Sequence, residues 1–341
     1  MPRLGVVGTM VWDTIRARDV GRDGPVEEWG GIAYALAAAD AAVAAAGEGW
    51  TLFPILKVGK DMREAADLFL GGLERVDSFD GVWTVTEPNN RVELVYLDDA
   101  RRSERLTGGV PGWTREELLP LARSCDAIYV NFIAGWEVDL PAAAALRTAA
   151  GGPVYADLHS LMLGVGLDGV RSPRPLEDWR AWLSCFDVVQ LNEEELRTLA
   201  AGWEDPWALA ADVVGPVTRG LLVTLGERGA AWVATRSFWK APTEPRPAPG
   251  AVAPAEALVS GKVEPEAPVS GGDPTGCGDV WGATCFVTML TGENLESSVK
   301  AATRAAQRNA GFRGASGLGE YLRSATGVLT GGAGSRPRGA A

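Results

Sequence analysis

The chain has 341 residues, of which 46% are hydrophobic and 22% charged, and it carries a formal net charge of -12. That make-up suits a globular protein with a sizeable core, and the length fits two domains or one large α/β domain with a small appendage. The acidic balance excludes nucleic acid and anionic membrane as partners and serves solubility, while four cysteines without a C-x-x-C pair, beside the single His159, exclude a structural zinc site.

Hydrophobic periodicity and turn residues give the element order. Leu4 to Gly8 reads as a short buried strand entering a glycine turn. The apolar run of Met1 to Ile15 is interrupted at Asp13, and no cleavage site follows, so no signal peptide is expected. Gly30 to Ala46 reads as an alanine-rich helix opened by two glycines, Trp50 to Val58 as a strand, and Asp61 to Leu73 as a helix. Val82 to Val85 and Arg91 to Leu97 are β-rich around a Pro88-Asn89-Asn90 turn, which predicts an antiparallel hairpin projecting from the main body.

Alternation then resumes. Ala127 to Phe132, Val154 to Asp157, Val188 to Leu191 and Gly220 to Thr224 read as strands separated by helices. Strands alternating with helices predict an α/β fold: a doubly wound, mostly parallel sheet with helices on both faces. A small antiparallel lid is expected from about 10–20 and 82–106. Ligands of such sheets lie beyond the carboxyl ends of the strands. Asp13, Glu137, Asp157, Asn192 and Gly226 stand at those ends. Pro242 to Pro268, rich in Pro, Ala and Glu, reads as an irregular surface insertion (242–268) on a main domain of 1–325. Gly276 to Leu290 and Glu296 to Gly311 read as helices, and 326–341 as a disordered tail. No apolar stretch reaches about 20 residues, so no membrane span is expected and the cytoplasm, with its free thiols, is the expected setting.

The chemistry concentrates in Gly272-Asp273-Pro274-Thr275-Gly276-Cys277-Gly278-Asp279-Val280-Trp281-Gly282-Ala283. Two glycines flank Cys277 where a helix begins, so accessible backbone N–H groups and the helix dipole form an anion site. Asp279, in the first turn beside it, is placed to accept a proton from a hydroxyl that attacks phosphorus. The bland reading of the same residues is a helix start with a dipole-favoured carboxylate.

Asp-x-Thr-Gly-x-Gly-Asp followed by small residues resembles the second signature of the PfkB (ribokinase-like) family of carbohydrate kinases, and further matches follow in family order along nearly the whole chain. Gly8 to Asp13 resembles the first strand with its sugar-contacting aspartate, and Trp29-Gly30-Gly31 the di-glycine turn. Lys57 to Asp61 resembles the V-G-x-D stretch, and Asn192 to Glu195 the N-x-x-E motif that acts on Mg2+ and phosphates. Thr224 to Gly229 resembles the T-L-G-x-x-G turn bordering the nucleotide, and Asn309 the asparagine beside the adenine.

The resemblance implies an ATP- and Mg2+-dependent kinase of a small sugar or a nucleoside. Asp279 would be its base, and the N–H groups of Gly276, Cys277 and Gly278 its anion hole. Asn192, Glu195, Thr224, Gly226, Gly229 and Asn309 would bind the donor. Asp13, Gly30, Gly31 and Glu137 would bind the acceptor, and Asp273, Thr275 and Ser316 would frame a K+ site. Trp12 and Trp29 would lie near the sugar ring, and exposed lid edges invite a homodimer. The chain departs from the pattern at Ile32 and Ala35, where ribokinase-type relatives carry a sugar-gripping lysine and asparagine. Arg101, Arg102 and Arg105, after the hairpin, would suit a sugar phosphate, or form a solvated charge run.

Other readings are weaker. Gly5-Val6-Val7-Gly8 lacks G-x-G-x-x-G, and Gly261-Lys262 is followed by Val263 rather than the Ser or Thr of a P-loop. A non-catalytic sugar or nucleotide binder of the same fold is the rival, which intact Asp279 and the glycine pair oppose. Cys277 is read as a small packing residue whose thiol could instead be activated by the helix start.

Overall fold

The computed structural model of the chain describes residues 1–16, 25–47, 49–96, 102–243, 256–266 and 272–324. In chain order it forms β1 (Arg3–Arg16), β2 (Val26–Gly31), α1 (Ile32–Ala45), β3 (Thr51–Gly59), α2 (Arg63–Gly71), β4 (Val82–Val85), β5 (Arg91–Tyr96), β6 (Arg102–Thr107), α3 (Arg115–Ala122), β7 (Ala127–Asn131), α4 (Leu140–Ala149) and β8 (Val154–Asp157). Then follow β9 (Leu163–Val165), β10 (Arg171–Pro173), α5 (Trp179–Ser184), β11 (Val188–Asn192), α6 (Glu193–Leu199), α7 (Pro206–Val213), β12 (Gly220–Thr224), β13 (Ala230–Thr235), α8 (Arg236–Lys240), β14 (Leu258–Val263), α9 (Cys277–Leu290), α10 (Leu295–Asn309) and α11 (Leu318–Arg323).

The main sheet runs β14-β13-β12-β11-β8-β7-β1-β3-β4. From β12 to β4 every pairing is parallel, and β13 and β14 add antiparallel strands at one edge. The central strands read as near-continuous apolar runs because helices cover both faces. Side chains alternate between two cores. Val6 and Tyr129 join the layer of α1, α9 and α10, whereas Val7 and Val130 join the layer of α3 to α7. Helix α1 is almost wholly buried, and its alanines favour the helix while letting α9 pack close on it.

Strand β1 outruns the main sheet and becomes the spine of the lid. Met10 to Ile15 pair antiparallel with β2, and Trp12 to Arg16 pair parallel with β5, which carries β6 antiparallel on its other side. The lid has its own apolar cluster of Val11, Ile15, Val92, Leu94 and Leu106, seated on Ile133 and Ala134.

Three expectations change. The hairpin does not join 82–85 to 91–97. Strand β4 pairs with β3 in the main sheet, and the hairpin is β5–β6. Asn89 and Asn90 act as struts instead of a turn tip. Gly59 N–H donates to Asn89 Oδ1 at 3.0 Å, and Asn89 Nδ2 donates to the Met10 carbonyl at 3.2 Å. Trp12 N–H donates to the Asn90 carbonyl at 3.0 Å. Second, β2 is a strand where only a di-glycine turn was read. Third, 258–263 of the expected irregular insertion form edge strand β14, whose alternating exposure leaves too few apolar residues to betray it. Residues 17–20, Leu97, Arg101, 244–255 and the 326–341 tail lie outside the described residues.

The V-G-x-D stretch also finds its role here. Asp61 Oδ1 accepts the Asn89 N–H at 2.8 Å, fixing the root of the lid. Lys57 is buried, donating to the Gly112 carbonyl at 2.9 Å and to Glu117 at 2.7 Å. Among the described residues no helix is long and apolar enough to cross a membrane.

Asn89→Ala removes one acceptor and one donor from a buried site and leaves the Gly59 N–H unpaired, so it is expected to cost at least about 1–3 kcal/mol. Urea unfolding should show a lower midpoint at unchanged slope. An unchanged midpoint would remove the strut role.

Candidate active site

Strand order reverses between β1 and β7, and ligands of open α/β sheets sit outside the carboxyl ends at such a point. Asp13, Asn131, Asp157, Asn192 and Thr224 are delivered there by β1, β7, β8, β11 and β12. The N-terminus of α9 faces the same edge.

The loop before α9 is a tight turn. Gly276 is left-handed with φ 74°, which an L side chain resists, and a Cβ there would overlap the Tyr34 ring. The Cys277 N–H closes the turn onto the Pro274 carbonyl at 3.1 Å. This corrects the expected anion hole, because the Cys277 amide is used internally. The N–H groups of Gly276 and Gly278 find no acceptor among the described residues. Asp273 accepts the Thr275 N–H at 2.9 Å and donates its own N–H to the Ala310 carbonyl at 2.9 Å.

Asn309, expected beside an adenine, is 0% exposed. Its Nδ2 donates to the Thr275 carbonyl at 2.9 Å and to Cys277 Sγ at 3.4 Å, so it braces the turn from below. Burial, eased only partly by the Asn309 contact, pushes the Cys277 thiol up to about 11. Cys277 is a protonated packing residue, not an activated thiol.

Asp279 and its surroundings are linked by amides that pattern reading passed over. Asn131 Nδ2 donates to Asp279 Oδ1 at 2.7 Å. Gln190 Nε2 donates to Asp157 Oδ2 at 2.8 Å and to the Gly278 carbonyl at 3.1 Å, while its Oε1 accepts from Tyr155 at 2.8 Å. The available signal is an amide within, or at the end of, an otherwise apolar strand.

At β11 the capping box of α6 is closed. Asn192 Oδ1 accepts the Glu195 N–H at 2.9 Å, and Glu195 Oε2 accepts the Asn192 N–H at 2.7 Å. Glu195 Oε1 meets His159 Nδ1 at 2.5 Å. Burial alone would lower His159, but Glu195 and Asp157 outweigh it and raise it to about 9. Burial, and then Glu195, raise Asp157 to about 8. Thr224 stands beside Asn192 in register, and the 225–229 turn closes with the Leu225 N–H on the Gly229 carbonyl at 2.8 Å.

On the lid side, Asp13 is buried and its carboxylate lies against Gly30, where any Cβ would overlap it. Gly31 backs onto Ile133. Burial, then Asp13, Asp273 and Asp279, raise the Tyr34 hydroxyl far above its usual range, so it remains a donor.

Other expectations are corrected. Glu137 is 1% exposed, and its carboxylate accepts the N–H groups of Ile133 and Gly135 at 2.9 Å together with that of Ala134. It clamps its own loop rather than facing an acceptor. Ser316 donates to Glu28 Oε1 at 2.7 Å. Trp12 and Trp29 meet edge to face at 5.2 Å, and Trp12 projects from the face of β1 opposite Asp13. Ile32 and Ala35 are wholly buried in the core, and Arg105 is exposed on β6.

No protein-family model matches the sequence, and no curated protein matches it. Solved structures do. Ribokinase from Thermotoga maritima is similar with TM-score 0.67 and 16% identity, over 95% of this chain and 99% of that one. Arabidopsis thaliana ribokinase, complexed with ribose and ATP, gives 0.63 and 21% over 94% and 99%. A pyrophosphate-dependent kinase in the ribokinase family, complexed with a pyrophosphate analog and myo-inositol, gives 0.68 and 15% over 94% and 99%. The chain has the ribokinase-like fold.

Because the chain has one histidine, its titration is directly readable. Imidazole NMR signals are expected to stay those of the protonated ring through pH 8 and to titrate near 9. Glu195→Gln should bring the midpoint down. The folded protein holds this proton where the unfolded chain, near 6.5, has lost it. Its stabilisation is therefore complete below about 6.5 and lost as pH rises through 9. A midpoint at 6.5 in the native protein would dissolve the pair.

Proposed function

We propose, from the ribokinase-like fold and the geometry of its cleft, that the protein is a kinase that moves the γ-phosphoryl group of Mg-ATP to a hydroxyl of a small sugar-like acceptor. A nucleoside acceptor is the alternative within the same chemistry. The observation that carries this reading is the pairing of Asp279, oriented by Asn131 at 2.7 Å, with the amides of Gly276 and Gly278 at the start of α9, which find no acceptor among the described residues.

The acceptor would lie under the lid against Asp13, Gly30 and Gly31, and its reacting hydroxyl would point at Asp279. As the hydroxyl oxygen bonds to the γ-phosphorus, its proton passes to the Asp279 carboxylate. The bond from that phosphorus to the β–γ bridging oxygen breaks, and ADP leaves with the electron pair. The α9 N-terminus stabilises charge on the transferring oxygens through backbone N–H groups and the helix dipole.

Asn192, Glu195, Thr224, Gly226 and Gly229 would border the donor. Both Glu195 oxygens are already committed to Asn192 and His159. The residue therefore suits a hydrated Mg2+ held through water, and the ion would neutralise charge on the donor phosphates. K+ at Asp273 and Thr275 belongs to the same reading. Pyrophosphate is the second donor reading, favoured by the burial of Asn309 away from any nucleotide base; one similar structure is described as pyrophosphate-dependent.

Asp279→Asn is expected to lower kcat by about 10²–10⁴-fold, the usual contribution of a positioned general base, with donor affinity nearly unchanged. Cys277→Ala should be nearly silent. Steady-state kinetics with ATP and pyrophosphate over a panel of sugars and nucleosides is the measurement. An Asp279→Asn protein of near wild-type rate would overturn the base assignment, and absence of transfer from both donors would favour the non-catalytic binder.

Gln190→Met keeps the volume and removes both donors to Asp157 and the Gly278 carbonyl. Misplacement of this kind costs up to about 10²-fold. Turnover should fall toward that limit with acceptor KM little changed, read from the same assay. A wild-type kcat would show that the Gly278 peptide holds its place without this amide.

A further inference from the structure

The molecule holds a buried cation that the mechanism above does not use. Arg171, on β10, has a side chain only 3% exposed. Its Nη1 donates to Glu104 at 2.8 Å and to the Ile133 carbonyl at 2.9 Å. Its Nε and Nη2 have no hydrogen-bond partner among the described residues. These two nitrogens share one edge of the guanidinium, the planar fork that matches two oxygens of a carboxylate or phosphate. A buried charged donor left unpaired is costly, and the whole edge is left so here.

The position is as telling as the chemistry. Along β6, Glu104 and Leu106 share a face, and Leu106 lies in the lid cluster with Val11 and Ile15. On β1, Asp13 shares its face with those two. Register takes Asp13 to Val92 and on to Leu106, and Ile15 to Leu94 and on to Glu104. Glu104 is thus two strands across and two residues along from Asp13, a Cα separation of about 12 Å from ordinary strand spacings. Ile133, whose carbonyl Arg171 grips, packs against Gly31 beside Gly30 and the Asp13 carboxylate. The Arg171–Glu104 pair therefore lies on the lid face that carries Asp13, at a separation comparable to the span of a sugar with a charged substituent, with its free edge enclosed in this state.

We infer that Arg171 is the recognition group for an anionic substituent, a carboxylate or a phosphate monoester, on the hydroxylated acceptor. The inference rests on the kinase reading for the word acceptor, though not for the binding itself. The acidic neighbourhood of Asp13, Glu104 and Asp279 would repel such a ligand unless a cation meets it, and the guanidinium fork meets it with geometry as well as charge. Entry requires the β9–β10 hairpin to part from β6. The hairpin is tied there by the Arg105–Val170 bridge and the Leu106 N–H on the Gly169 carbonyl, contacts that a lid motion can break. The sequence points for this cation to Arg101, Arg102 and Arg105, whereas the buried one comes from a different segment.

The experiment compares matched ligands by calorimetry without donor, then by initial rates with ATP: D-glucose with D-gluconate, D-fructose with D-fructose 6-phosphate, and inorganic phosphate alone. The gluconate and fructose 6-phosphate arms separate the two anion sources. At least one anionic partner is expected to bind tenfold or more tightly than its neutral counterpart. Arg171→Lys keeps the charge without the fork and should lose at least tenfold for that ligand. Arg171→Met with Glu104→Gln removes the pair together, guards against an unpaired buried Glu104, and should abolish the preference at an unchanged circular dichroism spectrum. Equal binding of neutral and anionic partners, or an Arg171→Lys protein with full anionic affinity, overturns the inference. So does binding of inorganic phosphate alone without discrimination among acceptors. Arg171-dependent binding without transfer would keep this site and sink the kinase reading, and transfer to a neutral sugar indifferent to Arg171 would do the reverse.

Discussion

The start of α9 stands over the carboxyl ends of β7, β8 and β11 because Gln190 ties it there. The side chain is buried, and its three hydrogen bonds reach the Gly278 carbonyl, Asp157 and Tyr155. Breaking any one would strand a polar group in the core at about 1–3 kcal/mol. The Gly278 carbonyl and the Asp279 N–H belong to one planar peptide unit. Fixing the carbonyl toward the sheet turns that N–H the other way, toward the open edge. Gly282, one turn on, is required by the same contact, since a Cβ would overlap the Gln190 oxygen. From this tie follow the place of Asp279, its bond with Asn131, and the direction in which the helix dipole points.

The cleft is less acidic in practice than its residue list suggests. Asp13, Asp157, Glu195, Asp273 and Asp279 would together repel a polyphosphate. However, burial and then Glu195 raise Asp157 to about 8, and Glu195 holds His159 up at about 9, so this group carries less negative charge than its carboxylates alone would give. Burial holds the Tyr34 hydroxyl neutral among the remaining acids. The lone histidine thus offsets one carboxylate beside Asn192, while the Gly276 and Gly278 amides, without an acceptor among the described residues, lend positive potential to the α9 start. Asp279 is half-buried beside Asn131.

Much of this was legible in the sequence, for physical reasons. The central strands announce themselves as apolar runs because both sheet faces are covered. The turn before α9 announces itself because only glycine tolerates the left-handed backbone at 276. Legibility failed where a residue's partner lies far along the chain. Asn309 and Glu137 sit where a ligand contact was expected, yet the Asn309 Nδ2 is spent on Thr275 and the Glu137 carboxylate on the 133–135 amides. Nothing local distinguishes an amide that braces a turn from one that meets a base. Strands β2 and β14 escaped because an edge or lid strand has one solvated face and carries little apolar signal. Asn131, Gln190 and Arg171 were missed although each is a polar residue in or beside a buried strand, which demands a partner.

The acceptor end shows how the fold redistributes recognition. Ile32 and Ala35 start α1 but point into the core, with Ile32 filling the space beside Gly8. No polar contact with an acceptor can come from those two positions. The first turn of α1 keeps Tyr34 as its group near the cleft, and the Tyr34 ring is wedged against Gly276. Polar recognition of the proposed acceptor would then fall to what the lid and the β8–α5 segment bring: Asp13 from β1, Glu104 from β6 and Arg171 from β10. Asp13 stands on a strand fixed in the main sheet, whereas Glu104 and Arg171 face each other across the β6 and β9–β10 contact. Were that contact to open for an acceptor, specificity and closure would be coupled, because the same motion would assemble the discriminating groups and exclude water from Asp279.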